Sequence, residues 1–151
     1  MKKNRILALL ITMMFISCEK DESAIREFSL CSFSFSDCKN EKGAMIFYNG
    51  SVEYRYEKGD LLYFMHKDVT FNCCQPENNL TIVTSLVGDS IIINEFEKEQ
   101  GLCKCICPYD MECTIGPLKE KQYWIIVQKS ENESFRFPIY FDEELEDVKS
   151  L

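Results

Sequence analysis

Apolar side chains recur at every second position in this chain, and that period constrains the fold more than any other feature. It runs through six segments: SFSFS (32–36), SVEYRYE (51–57), LTIVTSL (80–86), SIIINEFE (90–97), YWIIVQK (123–129) and FRFPIYF (135–141). Successive side chains of a β-strand point to opposite faces, so this alternation is typical of strands with one buried face. No long segment shows the helical period, and we therefore predict an all-β fold.

Turn signals separate these segments. Gly88-Asp89 lies between two of them and predicts a tight hairpin, and Gly59-Asp60 separates two further apolar stretches. Pro138 predicts an edge strand or a bulge. Seven to nine short strands at this spacing predict a sandwich or a barrel.

The segment 118–127, LKEKQYWIIV, is similar to the start of strand F in immunoglobulin-like domains. In those domains a tyrosine closes a corner before an alternating strand, and Tyr123 holds the matching position. The resemblance implies a sandwich rather than a barrel. The predicted fold is an antiparallel, immunoglobulin-like β-sandwich, stapled by disulfides.

The N-terminus has the pattern of an export signal. Three basic residues precede an apolar run from Ile6 to Ile16, which is too short to span a bilayer. Phe15-Ile16-Ser17-Cys18 resembles the bacterial lipobox, although leucine is commoner where Phe15 stands. The resemblance implies cleavage before Cys18, a diacylglycerol thioether on its sulfur and a fatty acyl group such as palmitate on its amine.

These features predict the organisation of the chain. We expect a lipoprotein signal peptide over residues 1–17, a lipidated tether over 18–27, the β-sandwich over 28–141 and an acidic tail over 142–151. Acylation would tether the mature protein to the outer membrane. Glu19 to Glu22 resembles the surface-export signal of Bacteroidota-type lipoproteins, but a solvated linker would carry the same charges, so the side of the membrane stays open.

Charge excludes one class of partner. Without residues 1–17 the chain has 14 basic and 25 acidic residues, a net charge of −11. A surface this acidic repels nucleic acid and anionic headgroups, so the expected membrane contact is the lipid anchor alone. Cationic peptides, sugars and other proteins remain as partners.

The cysteines are the one group of residues in this sequence that indicates a particular chemistry, either disulfide bonding or metal binding. Besides Cys18 there are eight, an even number that favours pairing in an exported chain. The disulfide candidates are Cys31, Cys38, Cys73, Cys74, Cys103, Cys105, Cys107 and Cys113.

Spacing limits how these cysteines pair. Vicinal Cys73 and Cys74 point to opposite faces, and alternate cysteines between Cys103 and Cys107 stand about 7 Å apart at Cα in an extended segment. We therefore predict two bridges between these groups. In the remaining pairs, Cys31 would bond Cys38, and Cys113 would take the cysteine left over. Eight cysteines allow 105 connectivities, so other pairings stay open.

Metal binding is the alternative hypothesis. Reduced Cys73, Cys74, Cys103, Cys105 and Cys107 would make a thiolate-rich trap for zinc or copper, although C-x-C-x-C departs from the spacing of structural zinc sites. The export signal favours disulfides over such a cofactor.

One longer resemblance spans residues 69–127. TFNCC, followed by C-x-C-x-C-P-Y-D and then Y-x-I-x-V, is similar to a family of uncharacterised Bacteroidota-type exported lipoproteins. The resemblance implies an exported all-β domain with a shared cysteine core at Cys73, Cys74, Cys103, Cys105 and Cys107. It implies no activity.

The sequence contains little that indicates a catalytic site. His66 is the single histidine, and nothing beside it resembles a nucleophile elbow or a phosphate loop. We predict a packing or surface role for it and no enzyme. Aromatic residues could serve a binding surface, but we expect most of them in the core or on the faces of the sheets: Tyr48, Tyr54, Tyr56, Tyr63, Phe64 and Trp124. The predicted function is non-enzymatic binding or structural support in the cell envelope.

Overall fold

The chain folds into two β-sheets in a computed structural model. The structure describes residues 27–39, 50–74, 79–99, 105–129 and 133–151. The predicted signal peptide, Cys18 and nearly all of the predicted tether lie outside these ranges, as does Cys103. Within the described ranges, no helix has the length and hydropathy needed to cross a membrane.

The described residues contain nine strands, at the upper end of the predicted number. They are β1 (Ser29–Phe35), β2 (Ser51–Glu57), β3 (Leu61–Asn72), β4 (Leu80–Val87), β5 (Ser90–Glu97), β6 (Ile106–Gly116), β7 (Lys121–Gln128), β8 (Ser134–Phe141) and β9 (Glu146–Ser150). The five-stranded sheet has the order β1-β6-β3-β2-β9, and the four-stranded sheet has the order β4-β5-β7-β8. The all-β, disulfide-stapled sandwich is therefore confirmed.

One strand pair departs from the predicted antiparallel arrangement. β5 and β7 pair in parallel, with Ile91 opposite Ile125, while every other described pair is antiparallel. Parallel neighbours cannot be joined by a tight hairpin and need a crossover. Here β6, in the other sheet, supplies the crossover, so β7 runs in the same direction as β5.

The core lies between the sheets and is filled by the alternating residues. Val52 in β2, Ile93 in β5 and Ile125 in β7 are all fully buried. Rings also meet across the two layers: the centroids of Tyr54 and Phe137 are 5.2 Å apart. Burying a large apolar side chain contributes roughly 1.5–3 kcal/mol, so this inner layer is the main source of stability.

The predicted corner tyrosine is present. Tyr123 is buried at the start of β7, and its Oη accepts a hydrogen bond from the backbone N–H of Lys119 at 3.1 Å. This bond fixes the chain where it passes from β6 to the four-stranded sheet. It is the hallmark of the corner in immunoglobulin-like domains.

The predicted acidic tail is instead a strand. β9 pairs with β2, and the backbone N–H of Leu151 donates to the carbonyl of Gly50 at 2.9 Å. The phenol of Tyr54 also donates to Asp147 at 2.8 Å. All five residues of β9 are exposed, so backbone pairing rather than a buried face holds this strand. The sandwich therefore runs past the predicted boundary at residue 141.

Candidate binding surface

The outer side of the four-stranded sheet carries an unusual set of residues. Its strands are eight residues each, and their registers place alternate positions opposite one another. We call the apolar residues at these outward positions the apolar face: Val83, Val87, Ile92, Phe96, Trp124, Ile126, Pro138 and Tyr140. Of the sixteen outward positions, Arg136 alone carries a charge.

Several side chains of the apolar face are open to solvent. Val87 is 63% exposed, Tyr140 56% and Trp124 40%. The guanidinium carbon of Arg136 lies 5.3 Å from the centre of the Trp124 ring, a cation–π contact that orients both groups. Scattered apolar residues are normal on a surface, but a contiguous set is typical of an interaction site.

The opposite surface differs. Outward positions of the five-stranded sheet include Glu53, Arg55, Lys67 and Glu112. That pattern is typical of a solvated face.

Net charge also differs between the segments of the four-stranded sheet and the other described residues. Residues 79–99, 119–129 and 133–141, which contain the four-stranded sheet, hold five basic and six acidic residues, for a net charge of −1. One of the six, Glu95, is buried on the inner side. The remaining described residues hold five basic and thirteen acidic residues, for a net charge of −8. The apolar face therefore lies on the nearly neutral sheet of an acidic protein.

A groove continues the apolar face at one end of the sandwich. It has a volume of about 330 Å³ and is lined in part by Phe71, Phe96 and Ile106. Lys129 also lines the groove. Its Nζ donates a hydrogen bond to Oγ1 of Thr70 at 3.2 Å and lies 5.5 Å from the centre of the Phe71 ring. Because Phe96 belongs to both, the face and the groove form one surface.

Two disulfides lie near this end. Cys73 bonds Cys105 with Cα atoms 5.6 Å apart, and Cys38 bonds Cys107 with Cα atoms 5.7 Å apart. The first is a bridge between the two groups that the sequence predicted to be joined. Cys74 is also disulfide-bonded.

Two other predicted pairs are wrong, Cys31–Cys38 and the bridge at Cys113. Cys31 does not bond Cys38, because the segment after β1 runs beside the start of β6 and brings Cys38 to Cys107. There Lys39 forms ion pairs with Asp68 and Asp110, which hold the same segment in place.

Cys113 is a free, buried thiol, contrary to the expected bridge. It points inward from the middle of β6, opposite Phe64 of β3, whereas Cys107 lies near the start of that strand and Cys105 just before it. Burial raises the pKa of the Cys113 thiol above its usual range, and the nearby carboxylates of Glu95 and Glu112 raise it further. A thiol in this state is a poor nucleophile.

The metal hypothesis depended on thiolates. Cys73, Cys74, Cys105 and Cys107 are in disulfides here, and a disulfide sulfur is not a thiolate ligand. Among the described residues, no group of three or more His, Cys, Asp or Glu side chains is arranged to hold a metal ion.

His66 is buried in β3, where its Nδ1 lies 2.7 Å from Oε2 of Glu95 in β5. The other carboxylate oxygen of Glu95 and the hydroxyl of Thr84 are buried without a hydrogen-bond partner. The sequence left a packing or a surface role open for His66, and the structure shows packing, with a partner that the sequence reasoning missed. The sequence did contain a signal for this partner. Glu95 follows Ile91 and Ile93 at alternate positions, so its side chain points into the core as theirs do.

A second polar cluster lies on the outside of the five-stranded sheet. The phenol of Tyr63 donates to Glu112 at 2.6 Å, and the guanidinium carbon of Arg55 lies 3.7 Å from the centre of the Tyr63 ring. Hydrogen bonds from Ser34 and Tyr63 lower the pKa of Glu112. The groups satisfy one another, so the cluster stabilises the sheet surface.

The described residues of the predicted aromatic set lie in the core and on the sheet faces. Tyr54 and Phe64 are buried, Tyr56 and Tyr63 are half-buried, and Tyr48 lies outside the described residues. Trp124 is the member of that predicted set that faces solvent on the apolar face. Tyr140 was not among the aromatic residues named from the sequence. It lies at an outward-facing position of the last alternating segment, residues 135–141.

No protein-family model matches the chain, and comparisons with curated proteins and with solved structures find no match either.

Proposed function

We propose that this chain is a lipid-anchored lipoprotein of the bacterial outer membrane and that its sandwich is a non-enzymatic domain that binds protein through the apolar face. The observation that carries the binding role is the single charge among sixteen outward positions. A solvated sheet face would carry many more.

The export part of the proposal rests on the N-terminal pattern and on the cysteine chemistry. Disulfides form and persist in oxidising compartments and are rare in the cytosol. Cys38–Cys107 and Cys73–Cys105 therefore fit the export signal and the lipobox at Cys18. The resemblance to Bacteroidota-type exported lipoproteins supports the same location.

The anchor is tested by metabolic labelling with an alkyne-bearing fatty acid. We expect label on the natural chain and on Cys113→Ala, which keeps the lipobox, and no label on Cys18→Ala. An unlabelled natural chain, or a labelled Cys18→Ala variant, would refute the anchor.

The binding face is tested in intact envelopes with a photo-crosslinking amino acid placed at Trp124 or at Val148. Val148 is 58% exposed on the five-stranded sheet and serves as the matched control. We expect protein adducts from position 124 that disappear when Val87→Glu is added, and none from position 148. The binding role is wrong if position 124 yields no adduct.

A further inference from the structure

We infer that the protein bound by the apolar face is a second copy of this chain, packed face to face in a symmetric dimer. The inference rests on the proposed binding role of the face and adds the identity of the partner. Composition, charge, size and symmetry support it.

Composition comes first. Cores of protein–protein interfaces are enriched in Trp, Tyr, Phe and Arg and depleted in Lys, Glu and Asp. The outward positions include Trp124, Tyr140, Phe96 and Arg136, and none of them is Lys, Glu or Asp. Trp, Tyr and Arg are also the residues that most often dominate binding free energy.

Charge selects the face on which two identical chains can meet. Without residues 1–17 each chain has a net charge of −11, so most approaches bring like charges together. The segments of the four-stranded sheet have a net charge of only −1, whereas the rest of the described residues total −8. Contact between apolar faces keeps the acidic surplus of each copy on the far side, where salt screens it within roughly 8 Å.

Size is adequate for a weak dimer. Strands lie about 4.8 Å apart and rise about 3.3 Å per residue, so four strands of eight residues cover roughly 500 Å². Two such faces bury on the order of 1,000 Å², near the lower limit for a specific interface. If both copies are tethered to one membrane, their effective concentration rises and a weak contact is sufficient.

Symmetry accommodates the one charge on the face. Two sheets pack about 10 Å apart with strand directions within about 30° of each other. A two-fold axis parallel to the strands, between β5 and β7, places β8 of each copy over β4 of the other. Arg136 of each copy then faces the side that holds Val83 and Val87, so the two guanidinium groups stay apart.

The decisive experiment uses two differently tagged full-length chains in one cell, both with the photo-crosslinking residue at position 124. We expect an adduct that carries both tags, and none from position 148. Adducts to other proteins alone would overturn the dimer and leave the binding face standing. No adduct at all would overturn both.

A second measurement uses the purified full chain in detergent micelles, followed by sedimentation equilibrium. We expect the protein mass to double, from that of one processed chain to that of two, as concentration rises. Val87→Glu should raise the dissociation constant about tenfold or more, since it inserts a charge into the contact between the two apolar faces. Val148→Glu should leave it unchanged. The same thermal unfolding curve for both variants shows that neither has lost its fold. Equal weakening by both variants, or a monomer at every concentration, contradicts the dimer.

Discussion

Nδ1 of His66 and Oε2 of Glu95 meet at 2.7 Å in the core, one from each sheet. The pair lies among apolar residues, and the Phe135 ring packs edge-on against the imidazole at 5.5 Å between centroids. It is the one polar link between the inner layers in the described residues for which both partners are buried. Its loss should therefore affect folding directly.

Removing one member of this pair should be worse than removing both. We expect Glu95→Ala to lower the free energy of unfolding by about 3 kcal/mol, because a buried polar partner is left alone. A double variant, His66→Leu with Glu95→Met, should lose clearly less, since no buried polar group remains. Urea unfolding followed by circular dichroism measures both. If the double variant is less stable than Glu95→Ala, the pair contributes more than packing can replace.

Cys113 should be unreactive in the folded chain. Its thiol is buried and its pKa is raised, so little thiolate forms and alkylating reagents have no access. We expect iodoacetamide to label Cys113 only after unfolding in denaturant, without any reductant, as located by peptide mass spectrometry. Cys107 is the internal control, because it should need reduction before it reacts. Labelling of Cys113 in the native state would contradict its burial.

Alkaline pH should destabilise the sandwich through two tyrosines. Burial, with a hydrogen bond to Asp147, raises the pKa of Tyr54 to about 12, and burial, with a hydrogen bond to Glu112, raises the pKa of Tyr63 to about 12. An unfolded tyrosine ionises near pH 10, so between about pH 10 and 12 the unfolded chain releases protons that the folded chain keeps. Stability should be intact below this window and fall as pH rises through it.

The tyrosine contribution is isolated by comparing the natural chain with a Tyr54→Phe, Tyr63→Phe double variant. Lysines titrate in the same window in both proteins, so the difference in slope belongs to the tyrosines. We expect the variant to lose less stability per pH unit in urea unfolding experiments. Equal slopes would show that the two phenols ionise at their ordinary pKa.

Each disulfide should stabilise the fold, and the one that closes the longer loop should contribute slightly more. Cys73–Cys105 has a sequence separation of 32 residues and Cys38–Cys107 one of 69. In the chain-entropy model each contributes about 4 kcal/mol, with the longer loop slightly ahead. We expect each paired Cys→Ser variant to unfold at a clearly lower temperature than Cys113→Ala, which breaks no bond. Loss of either bridge without a change in unfolding temperature would contradict this prediction.

The predictable part of this fold came from buried faces. The alternation of apolar and polar residues, as at Ile91, Ile93 and Ile125, located the strands. A strand with one side in the core places an apolar residue at every second position, and this pattern is visible in the sequence. Gly88-Asp89 marked the β4–β5 hairpin. Tyr123 marked the corner, because that motif is local and its hydrogen bond spans only four residues.

β9 escaped prediction for the opposite reason. All its side chains are exposed, so no apolar phase distinguishes EDVKS from a solvated tail. Cys38 and Cys107 were assigned to the wrong partners because pairing depends on which strand ends meet in space. Spacing along the chain constrains only cysteines that are local to one another.

By itself, the sequence determined the fold class, the inner face of most strands and the corner at Tyr123, since each depends on periods of a few residues. Tertiary structure alone decided the parallel pairing of β5 with β7, the partners of Cys38 and His66, and the apolar face. Each residue of that face looks like an ordinary surface residue until strand register brings Trp124, Arg136 and Tyr140 together. Register is set by packing over the whole sheet, which no short stretch of sequence records.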